Sequence, residues 1–86
     1  MRRSLEYFGD KELALVYIAR KLKEALALEQ LLTRAEFDYL VEADRYRGGV
    51  IFQTERIGAF FYVDPAREEE VRQFLSANGY QPWTAW

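Results

Sequence analysis

Arg20, Lys21 and Lys23 are the residues whose types and spacing best suit ligand chemistry. They stand at the predicted start of a helix, where cations oppose the helix dipole. A helix N-terminus with added cations can hold an anion such as phosphate or carboxylate. Against this, the three side chains can be solvated or pair with Glu24 and Glu42, and the chain lacks the glycines of a phosphate loop. A second set is aromatic: Tyr17, Phe60 and Tyr62 in strand-like runs, with Trp83 and Trp86 at the end of the chain. Such residues make contact surfaces. The carboxylates Glu42 and Asp44 can in principle do acid–base work, but nothing raises them above solvated surface. Asp44-Arg45 and Glu55-Arg56 read as loop charge pairs.

What is absent narrows the chemistry. The chain has no histidine and no cysteine. That removes imidazole general bases, Ser-His triads, thiolate nucleophiles and soft-metal sites. It also removes disulfides, so stability must come from packing. Carboxylate-only Mg²⁺ or Ca²⁺ binding would need a spacing that is not seen. No metal, no cofactor and no enzymatic activity are expected. A net charge of −2 offers no broad phosphate-tracking surface. No apolar run approaches a membrane span, and Arg2-Arg3 is not followed by a signal-peptide core. A cytoplasmic location is expected, without membrane attachment.

The elements that must position these residues come in two similar runs. Leu13–Ala19 reads as a strand with two apolar faces, Lys21–Thr33 as a helix, and Phe37–Ala43 as a strand. The helix has a broad apolar stripe through Leu22, Ala25, Leu26, Leu28, Leu32 and Ala35, but a weak stop signal without glycine. Gly58–Val63 is a third strand. Asp64-Pro65 then starts a second helix as N-cap and first-turn proline, and Asn78-Gly79 stops it. Tyr80–Trp83 supplies a fourth strand. Residues 44–57, including a strand-like Val50-Ile51-Phe52, read as a long, partly extended hairpin connection. Residues 1–12 form an arm or a short extra strand, and residues 13–86 a single domain.

The order β-α-β-β-α-β gives an α+β ferredoxin-like sandwich: an antiparallel sheet with two helices on one face. The expected core includes Val16, Ile18, Leu22, Ala25, Leu32, Val41, Phe61, Val63, Val71, Phe74 and Leu75. Two helices cover one side of the sheet, so Tyr17, Phe60 and Tyr62 are assigned to the open side. The chain's own ends can cover it, through Tyr7 and Phe8 or Trp83 and Trp86. A second copy can also cover it, which makes a homodimer or higher oligomer the first expected partner and a protein partner or small anionic ligand the next. RNA-recognition motifs share this strand order and stack bases on central aromatics. Here Val16-Tyr17-Ile18 resembles the start of one consensus of that family, but Gly58–Val63 meets the other only out of register, and nucleic acid is not the favoured partner.

Val16-Tyr17-Ile18-Ala19-Arg20, then Glu24-Ala25, then Glu29 with Leu31-Leu32 resembles the opening of short bacterial signal-transducing proteins related to the PII-like ferredoxin fold. That family has glycine between the first helix and second strand, where this chain has Ala35-Glu36-Phe37. The resemblance implies a regulatory or binding role and gives no catalytic residue. The function expected is a small non-enzymatic regulatory or interaction module that self-associates through its aromatic sheet face. The alternatives are single-stranded RNA binding on the same face, or anion or nucleotide sensing at Arg20, Lys21 and Lys23.

Overall fold

A computed structural model describes residues 1–48 and 54–84. In chain order these form a helical turn α1 (Leu5–Phe8), β1 (Ala14–Ala19), α2 (Leu22–Arg34), β2 (Leu40–Gly48), β3 (Thr54–Val63), a 3₁₀ turn (Pro65–Arg67) and α3 (Glu68–Ala77). The sheet order is β1-β3-β2, with both pairs antiparallel. β1 and β2 therefore run parallel with β3 between them, and α2 is the crossover that joins them. The result is a small α+β fold built on a three-stranded antiparallel sheet.

The helices stop by one device. After α2, the Glu36 N–H donates to Thr33 O and the Phe37 N–H to Leu32 O, both at 3.0 Å. After α3, the Gly79 N–H donates to Ser76 O at 3.3 Å and the Tyr80 N–H to Leu75 O at 2.9 Å. Each is a Schellman motif, with a left-handed residue followed by an aromatic that folds back on the helix. Gly79 takes the left-handed role in α3 at φ 84°, whereas Glu36 takes it in α2 at φ 63°. A side chain in that region costs about 1–2 kcal/mol. Glu36→Gly is therefore expected to stabilise the chain by about 0.5–1 kcal/mol after the added unfolded-state entropy is subtracted. A higher midpoint in urea denaturation checks it.

Both helices pack on one face of the sheet. Ala25, Leu28 and Leu32 of α2, and Val71 and Leu75 of α3, close over Val16, Ala19, Phe61 and Val63, with Phe37 and Tyr39 completing the buried cluster. Of the core expected from sequence, Val16, Ala25, Leu32, Phe61, Val63, Val71 and Leu75 are in this cluster, and Val41 and Phe74 pack against it. Leu22 departs from expectation at 75 % exposed, as does Leu26 of the predicted stripe at 50 %. The buried stripe runs through Ala25, Leu28 and Leu32, which turns Leu22 and Leu26 to its flank. Ile18 lies outside the cluster as well.

Two strand assignments change. β2 and β3 pair from Leu40↔Tyr62 to Gly48↔Thr54, so most of the predicted 44–57 connection is strand. The charges of Glu42, Asp44 and Arg45 look like loop composition but suit an edge strand, where they discourage further pairing. Residues 50–52 lie outside the described residues. The predicted fourth strand over Tyr80–Trp83 is absent. This segment makes one backbone bond to β1 among the described residues, Trp83 N–H to Val16 O at 2.8 Å. Pro82 has no N–H to offer. The Arg72 guanidinium occupies the neighbouring carbonyls, Trp83 O at 2.5 Å and Leu15 O at 3.1 Å. A side chain thus does the work of a partner strand.

The N-terminal arm makes a single parallel bridge, Arg2↔Tyr39, before the turn of α1. Asp38 accepts from Arg3 Nε at 2.8 Å and from the Tyr7 hydroxyl at 3.0 Å. Lys11 then meets Asp64 at the end of β3. Phe8 is buried while Tyr7 is 54 % exposed.

Candidate functional site

A break in strand alternation builds the site. The pairing of β1 with β3 runs Ala14↔Val63, Leu15↔Tyr62, then skips Val16 and resumes at Tyr17↔Phe61. This β-bulge leaves one extra residue on β1 and shifts every later side chain to the other face. Tyr17 therefore shares the face of Phe61, beneath the helices, and packs edge-on to Tyr80 with ring centroids 5.4 Å apart. The strict alternation expected from sequence had put it with Phe60 and Tyr62. Those two lie on the opposite face, as the register with Glu42 and Leu40 requires.

That opposite face is not an open aromatic platform. Phe60 is 5 % exposed and Leu40 is 8 % exposed. Tyr62 is half-buried, and burial, with Glu42 and Asp44 nearby, pushes its hydroxyl pKa up. Trp83 is half-buried beside β1, and Trp86 lies outside the described residues.

Gly58 explains a residue that sequence reasoning missed. A Cβ there would sit 2.9 Å from Ile18 Cγ2, 3.0 Å from Tyr46 Cε1 and 3.1 Å from the Ala19 carbonyl oxygen. Its absence lets the Tyr46 ring lie across β3 toward Ile18, and Tyr46 is 7 % exposed. A glycine inside a strand marks such close approach, and that was the available signal. The Arg20 guanidinium lies 5.7 Å from the centroid of the Tyr46 ring, within reach of cation–π attraction.

These pieces meet at the carboxyl end of β1 in a cleft of 430 Å³ lined by Tyr17, Ile18, Arg20, Glu24, Tyr46 and residues 81–84. Glu24 orders its charged end, since its Oε1 accepts from the Arg20 N–H at 3.4 Å. Burial, and then the Glu24 carboxylate, push the Tyr17 hydroxyl up to about 12. Lys21 and Lys23 are exposed and do not line the cleft. Only Arg20 of the predicted cationic triplet is thus brought together with Tyr17 and Trp83 of the predicted aromatic set. Among the described residues, no group of three or more acidic side chains is placed to hold a metal ion, and no helix is long and apolar enough to cross a membrane.

The Tyr17 hydroxyl gives a pH prediction. Its pKa in the folded state lies above the ordinary value near 10. Its contribution to stability is therefore full below pH 10 and is lost as pH rises through about 12. Absorbance titration near 295 nm is expected to show a late phenolate step that Tyr17→Phe removes. Loss of an early step instead would contradict the burial described.

No family model, curated protein or solved structure matches this chain.

Proposed function

We propose that this chain is a small non-enzymatic regulatory module that binds a compact anionic ligand in the cleft at the end of β1. The observation that carries the reading is the convergence of Arg20 with Tyr17, Tyr46 and Trp83 around one cavity. The fold that goes with this reading is ferredoxin-like, its fourth strand reduced to the Trp83–Val16 bond and the Arg72 bridge. The β1-β3-β2 order with a helical crossover supports that assignment. A regulatory role also agrees with the resemblance of Val16–Arg20 and Glu24-Ala25 to signal-transducing proteins. The test is a thermal-shift panel of phosphate, carboxylates and nucleotides, because a ligand that binds the folded state raises Tm. A rise abolished by Arg20→Gln supports the reading, and no rise with any compound overturns it.

Self-association is the second reading. Leu22 and Ile57 are 75 % and 71 % exposed, which favours a contact surface at the start of α2 and on the β2–β3 hairpin. Phe60 does not take part, being already buried. Light scattering at micromolar concentration tests this reading, and a stable monomer removes it. Single-stranded RNA binding draws no support from the geometry, because the bulge divides Tyr17 from Phe60 and Tyr62 and so splits the stacking platform that it needs.

A further inference from the structure

Resting on the cleft as a ligand site, we infer that its ligand is a planar aromatic monocarboxylate of one or two rings, rather than a phosphate ester or a nucleotide. Size is the first argument. At 430 Å³ the cleft lies toward the small end of the range for ligand pockets, about 300–1,000 Å³. That is ample room for an indole-sized body.

Charge is the second argument. Arg20 and Glu24 are the charged residues that line the cleft. Glu24 faces inward next to the Arg20 amide. A polyphosphate entering here would meet one cation for its several charges, and Glu24 repels it more strongly than it repels a singly charged carboxylate. A single carboxylate can pair with the Arg20 guanidinium through two parallel N–H···O bonds, an arrangement that this fork-shaped group favours. Lys21 stands outside the lining, so it adds no second charge at the same depth.

Shape is the third argument. Tyr17 and Trp83, both half-buried, give the walls aromatic surface and Pro82 adds an apolar face, while Tyr46 is buried with the Arg20 guanidinium over its ring. Flat walls reward a flat ligand through offset or edge-on ring contacts. Arg20 shares the cleft with Tyr17 and Trp83, so a ligand ring set against either of them would turn its carboxylate toward the guanidinium.

The experiment is calorimetric titration of the full chain with indole-3-carboxylate, its neutral primary amide, inorganic phosphate and ATP. The inference expects the carboxylate to bind at least about tenfold tighter than the amide and than ATP. Arg20→Gln is expected to remove that preference, and Lys21→Gln to leave it within about twofold. Equal binding of acid and amide overturns the inference, as does carboxylate binding that Arg20→Gln does not weaken. Phosphate or ATP binding tighter than the carboxylate, and lost in Arg20→Gln, overturns the aromatic-carboxylate assignment while the cleft stands as the anion site. Silence from every compound overturns both the inference and the reading beneath it.

Discussion

Phe61→Ala is expected to remove roughly half of the chain's folding stability. Phe61 is fully buried in the central strand and pairs across to both Tyr17 and Val41. Its ring also lies 5.9 Å from that of Tyr39, so truncation removes contacts on each side of the sheet's midline. Phenylalanine-to-alanine changes at such sites cost about 3–5 kcal/mol, part transfer free energy and part cavity. A single domain of this size has about 5–10 kcal/mol in total. No disulfide is available to make up the loss. Urea denaturation followed by far-ultraviolet circular dichroism checks the prediction, with the midpoint falling by roughly half. A fall of less than about 1 kcal/mol would mean that the sheet does not close on Phe61.

The second large effect is expected at Arg72. Its side chain is mostly buried, at 22 % exposed, and reaches three acceptors. Nε donates to Glu68 at 2.9 Å, and the two terminal nitrogens donate to Trp83 O and Leu15 O. Leu15 borders the bulge and Trp83 borders the cleft, so one guanidinium joins α3, β1 and the C-terminal segment. Arg72→Ala leaves those two carbonyls without their charged donor. Bonds of this kind contribute about 1.5–3 kcal/mol, so Tm should fall by roughly 10 °C or more. Arg72→Lys should recover little, because an ammonium cannot span two carbonyls set by a planar fork. Hydrogen exchange separates this role from simple packing. The Trp83 amide should lose protection in Arg72→Ala while amides in the centre of β3 keep theirs. Equal loss at both would assign Arg72 to global stability alone.

The parts of the fold that could be read from sequence are those with a local chemical mark. Asp64-Pro65 and Asn78-Gly79 bracket the second helical segment because the cap, the proline and the glycine each impose a backbone state. Asp64 caps as expected, accepting from the Ala66 N–H at 2.9 Å. The end of α2 carried no such mark, since Glu36 holds a conformation that usually selects glycine. The Val16 bulge was equally silent. It comes from how β1 meets β3, and no residue in Leu15-Val16-Tyr17 announces it. That one extra residue moved Tyr17 across the sheet and with it the proposed site. The extension of β2 and β3 was hidden by charge, because edge strands and loops share a composition.

The site itself was half legible. Arg20, Tyr17 and Trp83 drew attention by type, yet they were assigned to two separate surfaces. Their meeting depends on three distant segments, β1 with the start of α2, the hairpin at Tyr46, and residues 81–84, and only the folded chain brings these together. Glu24 was legible only as one possible partner for the nearby cations, and its contact with the Arg20 amide depends on how α2 leaves β1.

The most direct test of the cleft as the functional site is backbone NMR of the ¹⁵N-labelled chain titrated with indole-3-carboxylate. Saturable shifts are expected at the amides of Tyr17, Ile18, Arg20, Glu24, Tyr46 and Trp83, with Lys11, Asp38 and the centre of α3 unmoved. Shifts centred on Phe60 and Tyr62, or no saturable shift at millimolar ligand, would contradict it.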